Sequence, residues 1–232
     1  MSDLVLLGTI LLSALTYASL QLNLGCLLLL YHSSVGKHIR AKTRTLATSY
    51  ILGVSIFVLL AIAASCYFIA TATNGSLELW QVSALIGALV AAGLLVWLVY
   101  YRFGGATELW LPRSVANFLH SRAKSTNNPV EAFSLGMMAC FAELPFSIAL
   151  IIISANSILS LSPINQFIVF CAFVLISVLP LLILRIFLRK GSSVMSVQRW
   201  RTKNKLFLKI LSGSLFVILA IFIFVFEVMG RI

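Results

Sequence analysis

The chain has 232 residues, of which 61% are apolar and only 10% are charged, and its mean hydropathy is +1.07. A soluble domain is about half apolar and about a quarter charged, so this composition excludes a water-soluble enzyme domain, a disordered chain and a small disulfide scaffold. The net charge is +11. We assign this excess to cytoplasmic loops that meet anionic lipid, and we expect no nucleic-acid binding because no basic stretch forms a reader motif.

Six apolar runs predict an all-α integral membrane protein with six transmembrane helices. A helix needs roughly 20 residues to cross a hydrocarbon core of about 30 Å, and each run is long enough. Strands are not expected, because an isolated strand cannot satisfy its backbone in lipid. The predicted spans are, in chain order, Leu4–Tyr31, Leu46–Thr71, Trp80–Tyr101, Phe133–Ala155, Ile164–Leu188 and Leu206–Met229.

The basic residues predict how these spans are oriented. Sixteen of the seventeen Lys and Arg lie in or beside the connections between spans 1 and 2, 3 and 4, and 5 and 6. The other two connections, Ala72–Leu79 and Asn156–Pro163, contain none. The positive-inside rule therefore predicts a multi-pass protein of the inner (plasma) membrane with cytoplasmic basic loops and both termini extracytoplasmic.

The connection over residues 104–131 is predicted to be a cytoplasmic linker that contains a short amphipathic helix. Pro112 can open a helix, and Val115, Phe118 and Leu119 then recur at helical spacing. A basic helix with one apolar face is typical of a segment that lies in the membrane interface.

This linker divides the chain into two three-helix halves, residues 1–103 and 132–232. Spans 1 and 4 run in opposite directions, so the halves are predicted to form a 3+3 inverted repeat, an arrangement common in secondary transporters. Leu22–Gly25 aligns without gaps with Phe133–Gly136, and the same register sets His32 against Glu143.

Glu143 is the main candidate functional residue, because it lies near the middle of span 4. An ionisable group there costs at least about 2.5 kcal/mol and normally faces protein or water. Pro145 follows it, and a carboxylate at a proline-broken helix is one way in which carriers build a site at half depth. The same face of the helix carries a stripe of small or polar residues, namely Gly136, Cys140, Glu143, Ser147 and Ser154.

Two roles for Glu143 are open from the sequence. It could bind a proton or a cation, or pair with a cationic substrate, with Asn23 of span 1 across from it. Alternatively, it could be a protonated acid that braces span 4 against span 1 or 2.

His32 is a candidate proton relay. We expect no metal site and no cofactor.

Cys26 and Cys140 offer a different chemistry. They lie in spans 1 and 4 and could form a membrane dithiol that passes electrons. Both can equally be small packing residues, because neither has a cationic neighbour in sequence to activate its thiol.

The layout resembles the six-helix lysine-exporter (LysE)-type superfamily and its relatives, the DsbD and CcdA-like cytochrome c biogenesis membrane domains. The resembling residues are Phe133–Gly136 followed by Glu143–Phe146, the basic linker, and the opening Lys209–Gly213 of the last span. In the thiol-relay branch a cysteine precedes the proline of spans 1 and 4. Span 4 has Glu143 near that place and span 1 has no proline, so the resemblance implies an exporter rather than a thiol relay.

Together these features predict a transporter rather than an enzyme, namely a secondary exporter of a small solute or ion. The expected partners are the bilayer, anionic lipids at the basic loops, and a second copy or a larger complex. Two alternatives stay open, a thiol–disulfide electron carrier and a non-catalytic subunit that anchors a complex.

Overall fold

The computed structural model describes residues 3–20, 22–32, 39–73, 75–100, 113–189 and 194–231, and these are helical with no strand among them. In the described parts of the chain the α-helices are α1 (Asp3–Ser19), α2 (Leu22–His32), α3 (Ile39–Ala72), α4 (Leu79–Leu95), α5 (Arg113–Ser125), α6 (Pro129–Leu159), α7 (Pro163–Arg189), α8 (Val194–Lys203) and α9 (Lys205–Ile223). π-Helical turns, Val96–Tyr100 and Phe224–Val228, extend α4 and α9, and a 3₁₀ turn, Met229–Arg231, follows.

Within the described residues, five helices are long and apolar enough to cross a membrane. They are Thr43–Ala72, Leu79–Leu98, Pro129–Leu159, Pro163–Leu188 and Lys205–Val228. Their outer surfaces carry large exposed apolar side chains such as Phe68, Phe167, Leu175 and Ile221. Contiguous apolar surface of this extent is a liability in water and suits a hydrocarbon solvent. The chain is therefore a multi-pass, all-helical membrane protein.

The first predicted span, Leu4–Tyr31, is not one continuous helix but a pair of helices. Helix α1 ends at Ser19, α2 begins at Leu22, and the two are bent by 42°. The backbone groups at the break find partners on other helices. The Ser212 hydroxyl donates to the Ser19 carbonyl at 3.0 Å, and a carboxylate of α6 accepts the Leu22 amide. These bonds compensate for the helical ones that the break removes.

Helices α3 and α6 pack so closely that their backbones touch. A Cβ on Gly53 would overlap the carbonyl oxygen of Phe133, and a Cβ on Gly136 would overlap that of Tyr50. Small residues allow this approach in membranes, where helix association depends on packing rather than on the hydrophobic effect. Helix α1 packs on α6, α7 and α9, and α4 packs on α9. The segment at the break therefore lies inside the bundle.

Two shorter helices carry basic side chains. The helix predicted after Pro112 is confirmed as α5, but its buried face consists of Ala116, Leu119 and Ala123. Val115 and Phe118, which were predicted to share the apolar face with Leu119, are exposed. Helix α8 was not predicted, because its basic sequence was read as part of a connection.

Candidate functional site

The carboxylate of Glu143 lies inside the bundle and accepts hydrogen bonds from the first two residues of α2. Its side chain is 1% exposed. Oε1 accepts the Leu22 amide at 2.9 Å, and Oε2 accepts the Asn23 side-chain amide at 2.6 Å. An ionised carboxylate is an acceptor only, so these two donors match its charged form.

Glu143 thereby caps a helix that belongs to another part of the chain. The first amides of a helix have no intrahelical acceptor, and the helix dipole places partial positive charge at that end. Because an anion is favoured at such a position, Glu143 stabilises the start of α2 while its charge is stabilised in return. The broken span predicted for span 4 therefore occurs in span 1, and α6 continues through the exposed Pro145.

Asn23 connects Glu143 to a second buried group, Tyr50 of α3. The Tyr50 hydroxyl lies 3.0 Å from Asn23 Oδ1 and 3.1 Å from the Asn23 carbonyl oxygen, and it can donate to either. Cys140 Sγ donates to Asn23 Oδ1 at 3.8 Å. Tyr50 was not predicted as a site residue, because an aromatic residue in an apolar run resembles ordinary core. Carboxylate, amide, phenol and thiol thus form one connected polar cluster.

The other predicted site residues have supporting positions. Gly136 provides the close contact with Tyr50. The Ser147 hydroxyl is buried but donates to the backbone carbonyl of Glu143 at 3.2 Å, so this bond does not reach the carboxylate. His32 ends α2, ten residues or about 15 Å of helix beyond Leu22. Its side chain lies outside the described part of the structure.

A small cavity of about 10 Å³ adjoins the carboxylate. Glu143, Asn23, Tyr17 and Ser177 contribute polar side chains to its lining. Ser177 is 5% exposed, and its buried hydroxyl has no hydrogen-bond partner among the described residues. A cavity of this size holds about one water molecule. In this conformation the cavity beside Glu143 thus has room for one small polar guest.

Cys26 and Cys140 both lie beside Tyr50, and each is fully buried as a free thiol. The redox role stays a prediction, and alkylation tests it. We expect a maleimide to leave both thiols unmodified in the native protein and to modify both in denaturant without any reductant. Mass spectrometry of the peptides measures this. Protection in denaturant that disappears only after reduction would show a disulfide and favour electron transfer.

A second buried carboxylate lies near the C-terminal end of α6. Glu227 is 3% exposed and accepts the Asn156 side-chain amide at 3.2 Å, while Asn156 Oδ1 accepts the Leu77 amide at 3.1 Å. Glu227 was not among the predicted site residues. Within the described residues, no group of three His, Cys, Asp or Glu side chains is placed to hold a metal ion.

The polar cluster of Glu143, Asn23, Tyr50 and Cys140 is therefore the candidate site. It contains one carboxylate, and it lies at the break between α1 and α2. Chemically, the arrangement places a helix-capping acid beside a cavity that holds about one water molecule. Comparison of the chain with known proteins finds no matching family model, no matching curated protein and no matching solved structure.

Proposed function

We propose that the chain is a secondary transporter of the inner membrane, an exporter of a small solute or ion, in which Glu143 couples movement to protons. The observation that carries the proposal is the cap: a buried carboxylate on one span holds the start of a half-helix on another. Discontinuous helices with charged groups at their ends are a recurring way of building transport sites at half depth.

The cap can act as a latch. Ionised Glu143 accepts two hydrogen bonds from α2, and protonation would make one of its oxygens a weaker, uncharged acceptor that also carries a donor hydrogen. Because protonation also removes the charge that the α2 terminus favours, α2 would be held less tightly. A proton or cation that enters through the small cavity would therefore shift the equilibrium between two positions of α2.

The pattern of helix contacts supports an inverted repeat, with α1–α2, α3 and α4 in the first half and α6, α7 and α9 in the second. In such a repeat α1 corresponds to α6, α3 to α7 and α4 to α9. The α3–α6 contact then corresponds to the α7–α1 contact, and the α1–α9 contact corresponds to the α6–α4 contact. All four contacts are present. The contacts α1–α6, α3–α7 and α4–α9 each correspond to themselves. This reading counts α1 and α2 as one span, so that the chain has six.

The short alignment of Leu22–Gly25 with Phe133–Gly136 is not part of this support. Leu22 begins the second section of the broken span, whereas Phe133 lies four residues into α6. The register that sets His32 against Glu143 has the same difficulty. We also propose that the helix layout is that of lysine-exporter-type proteins. In this proposal the basic loops are cytoplasmic and both termini are extracytoplasmic.

Proteoliposomes test the proposal. The chain is reconstituted with an internal pH indicator and a mixture of amino acids and organic cations, and a pH gradient is imposed. We expect wild type to show coupled proton movement and solute efflux, measured by fluorescence and by mass spectrometry. Glu143→Gln should abolish both, because glutamine cannot exchange a proton near neutral pH.

Glu131→Gln is the matched control, because Glu131 is an exposed acid in the first turn of the same helix. It should transport as wild type does. Proton-driven efflux by Glu143→Gln at the wild-type rate would refute the coupling role. Wild-type liposomes that move neither protons nor solutes would refute transport itself.

A further inference from the structure

A large groove opens beside the broken span and is separate from the polar cluster. Its volume is about 690 Å³, within the range of about 300–1,000 Å³ that is usual for small-ligand sites. Helices α1, α2, α7, α8 and α9 all contribute to its wall. Most of the lining is apolar, with Leu15 of α1, Leu24 of α2 and Leu179 and Ile183 of α7 among it.

One cation interrupts this apolar lining. Arg201 of α8 belongs to the wall of the groove although its side chain is only 6% exposed. A buried charge is expensive unless an opposite charge or several hydrogen bonds compensate it. A guanidinium has five N–H donors in a planar fork, so it can serve a protein partner and a phosphate together. None of the described residues that line the groove is acidic.

The groove therefore combines a long apolar wall with a cationic end. Trp200 lines it next to Arg201, and an indole is typical of the level where lipid headgroups begin. Helix α8 is also basic, with Arg201 and Lys203 in its last turn. The molecule that matches such a surface is amphiphilic, with an anionic head and a hydrocarbon tail, and the surrounding bilayer supplies one.

We propose that this groove binds an anionic phospholipid, with its phosphate on Arg201 and one acyl chain along α7. Leu15 and Ala18 lie before the break in the first span and Leu24 lies after it, so the bound chain contacts both half-helices. The lipid thus packs across the joint that Glu143 caps. The site does not depend on transport, and it would persist in a protein with another function.

Native mass spectrometry of the full chain tests this site. Phosphatidylglycerol and phosphatidylcholine with the same acyl chains are added to the protein in detergent. We expect wild type to prefer phosphatidylglycerol about tenfold, because both phosphates can reach Arg201 but the choline cation of phosphatidylcholine would lie close to the guanidinium and repel it. Arg201→Gln should reduce the preference to near one. Arg199→Gln is the matched control, because Arg199 is an exposed arginine on α8 that does not line the groove.

A second pair of variants tests the tail. Ile183→Trp fills the groove and should lower retention of both lipids, whereas Ile186→Trp, on the same helix but outside the groove, should not. This pair decides the question if Arg201→Gln does not fold. Equal binding of the two lipids by wild type, or a preference that survives Arg201→Gln, would overturn the headgroup assignment. Equal retention by the two tryptophan variants would overturn the groove.

Discussion

We expect Gly53→Ala to destabilise the protein by about 3 kcal/mol, the upper end of the usual cost of overpacking. The added methyl group would occupy the position of the Phe133 carbonyl oxygen, and a backbone atom cannot move aside as a flexible side chain can. Helices α3 and α6 must then separate. Since Tyr50 and Gly136 meet at the same interface, the contacts of the polar cluster would be strained as well.

Thermal unfolding in detergent measures this effect, together with the monodisperse fraction after size exclusion. Gly87→Ala is the matched control, because Gly87 is a helical glycine whose added Cβ meets nothing within 4 Å. It should leave stability unchanged or raise it by up to about 1 kcal/mol, since alanine is the better helix former. A Gly53→Ala protein that unfolds at the wild-type temperature would show that the two helices are not in tight contact.

The helical membrane architecture could be predicted because its signal is local. An apolar helix of more than about 20 residues can be recognised from its own sequence. Helix α5 is predicted by Pro112 and by the helical spacing of the residues after it. Helix α8 lacks such a signal, because Val194–Lys203 is rich in charge and too short to be recognised by hydropathy. The end of the groove that α8 forms was therefore unforeseen.

The break in the first span could not be predicted, because its cause is distant in sequence. No proline or glycine lies between Ser19 and Leu22. The partner that stabilises the break is Glu143, 121 residues away from Leu22. Glu143 is exceptional in the sequence and was predicted to lie across from Asn23, as it does in the structure. The break was predicted in the wrong helix, because a proline permits a helix to bend without requiring it.

Burial of polar groups likewise depends on tertiary neighbours. Arg201, Glu227 and Tyr50 have nothing in their local sequence that separates them from an interfacial cation, a terminal acid and a core aromatic. Each becomes informative only once packing encloses it. The stripe of small or polar residues along α6 therefore predicted the α6 side of the site. The other side belongs to α2 and α3, and the stripe does not predict which helices pack against it.

We expect Glu143→Ala to lower the free energy of unfolding by about 3–5 kcal/mol. The reason is that two buried donors would both lose their charged acceptor and be left unsatisfied. Glutamine keeps one acceptor oxygen, so Glu143→Gln should cost about half as much. Thermal unfolding gives the ranking. Hydrogen exchange gives the location: the Leu22 amide donates its hydrogen bond to Glu143, so it should lose protection in the alanine variant.

Ser147→Ala, one turn further along α6, is the control for this substitution. Its hydroxyl bonds to a backbone carbonyl of its own helix, so its removal should cost about 1 kcal/mol or less and leave α2 protected. If Glu143→Ala unfolds like wild type and the start of α2 exchanges no faster, the carboxylate does not hold the half-helix and the latch has no basis. If stability falls and α2 opens as expected, the same bond that braces the bundle is the one whose loss a proton can cause.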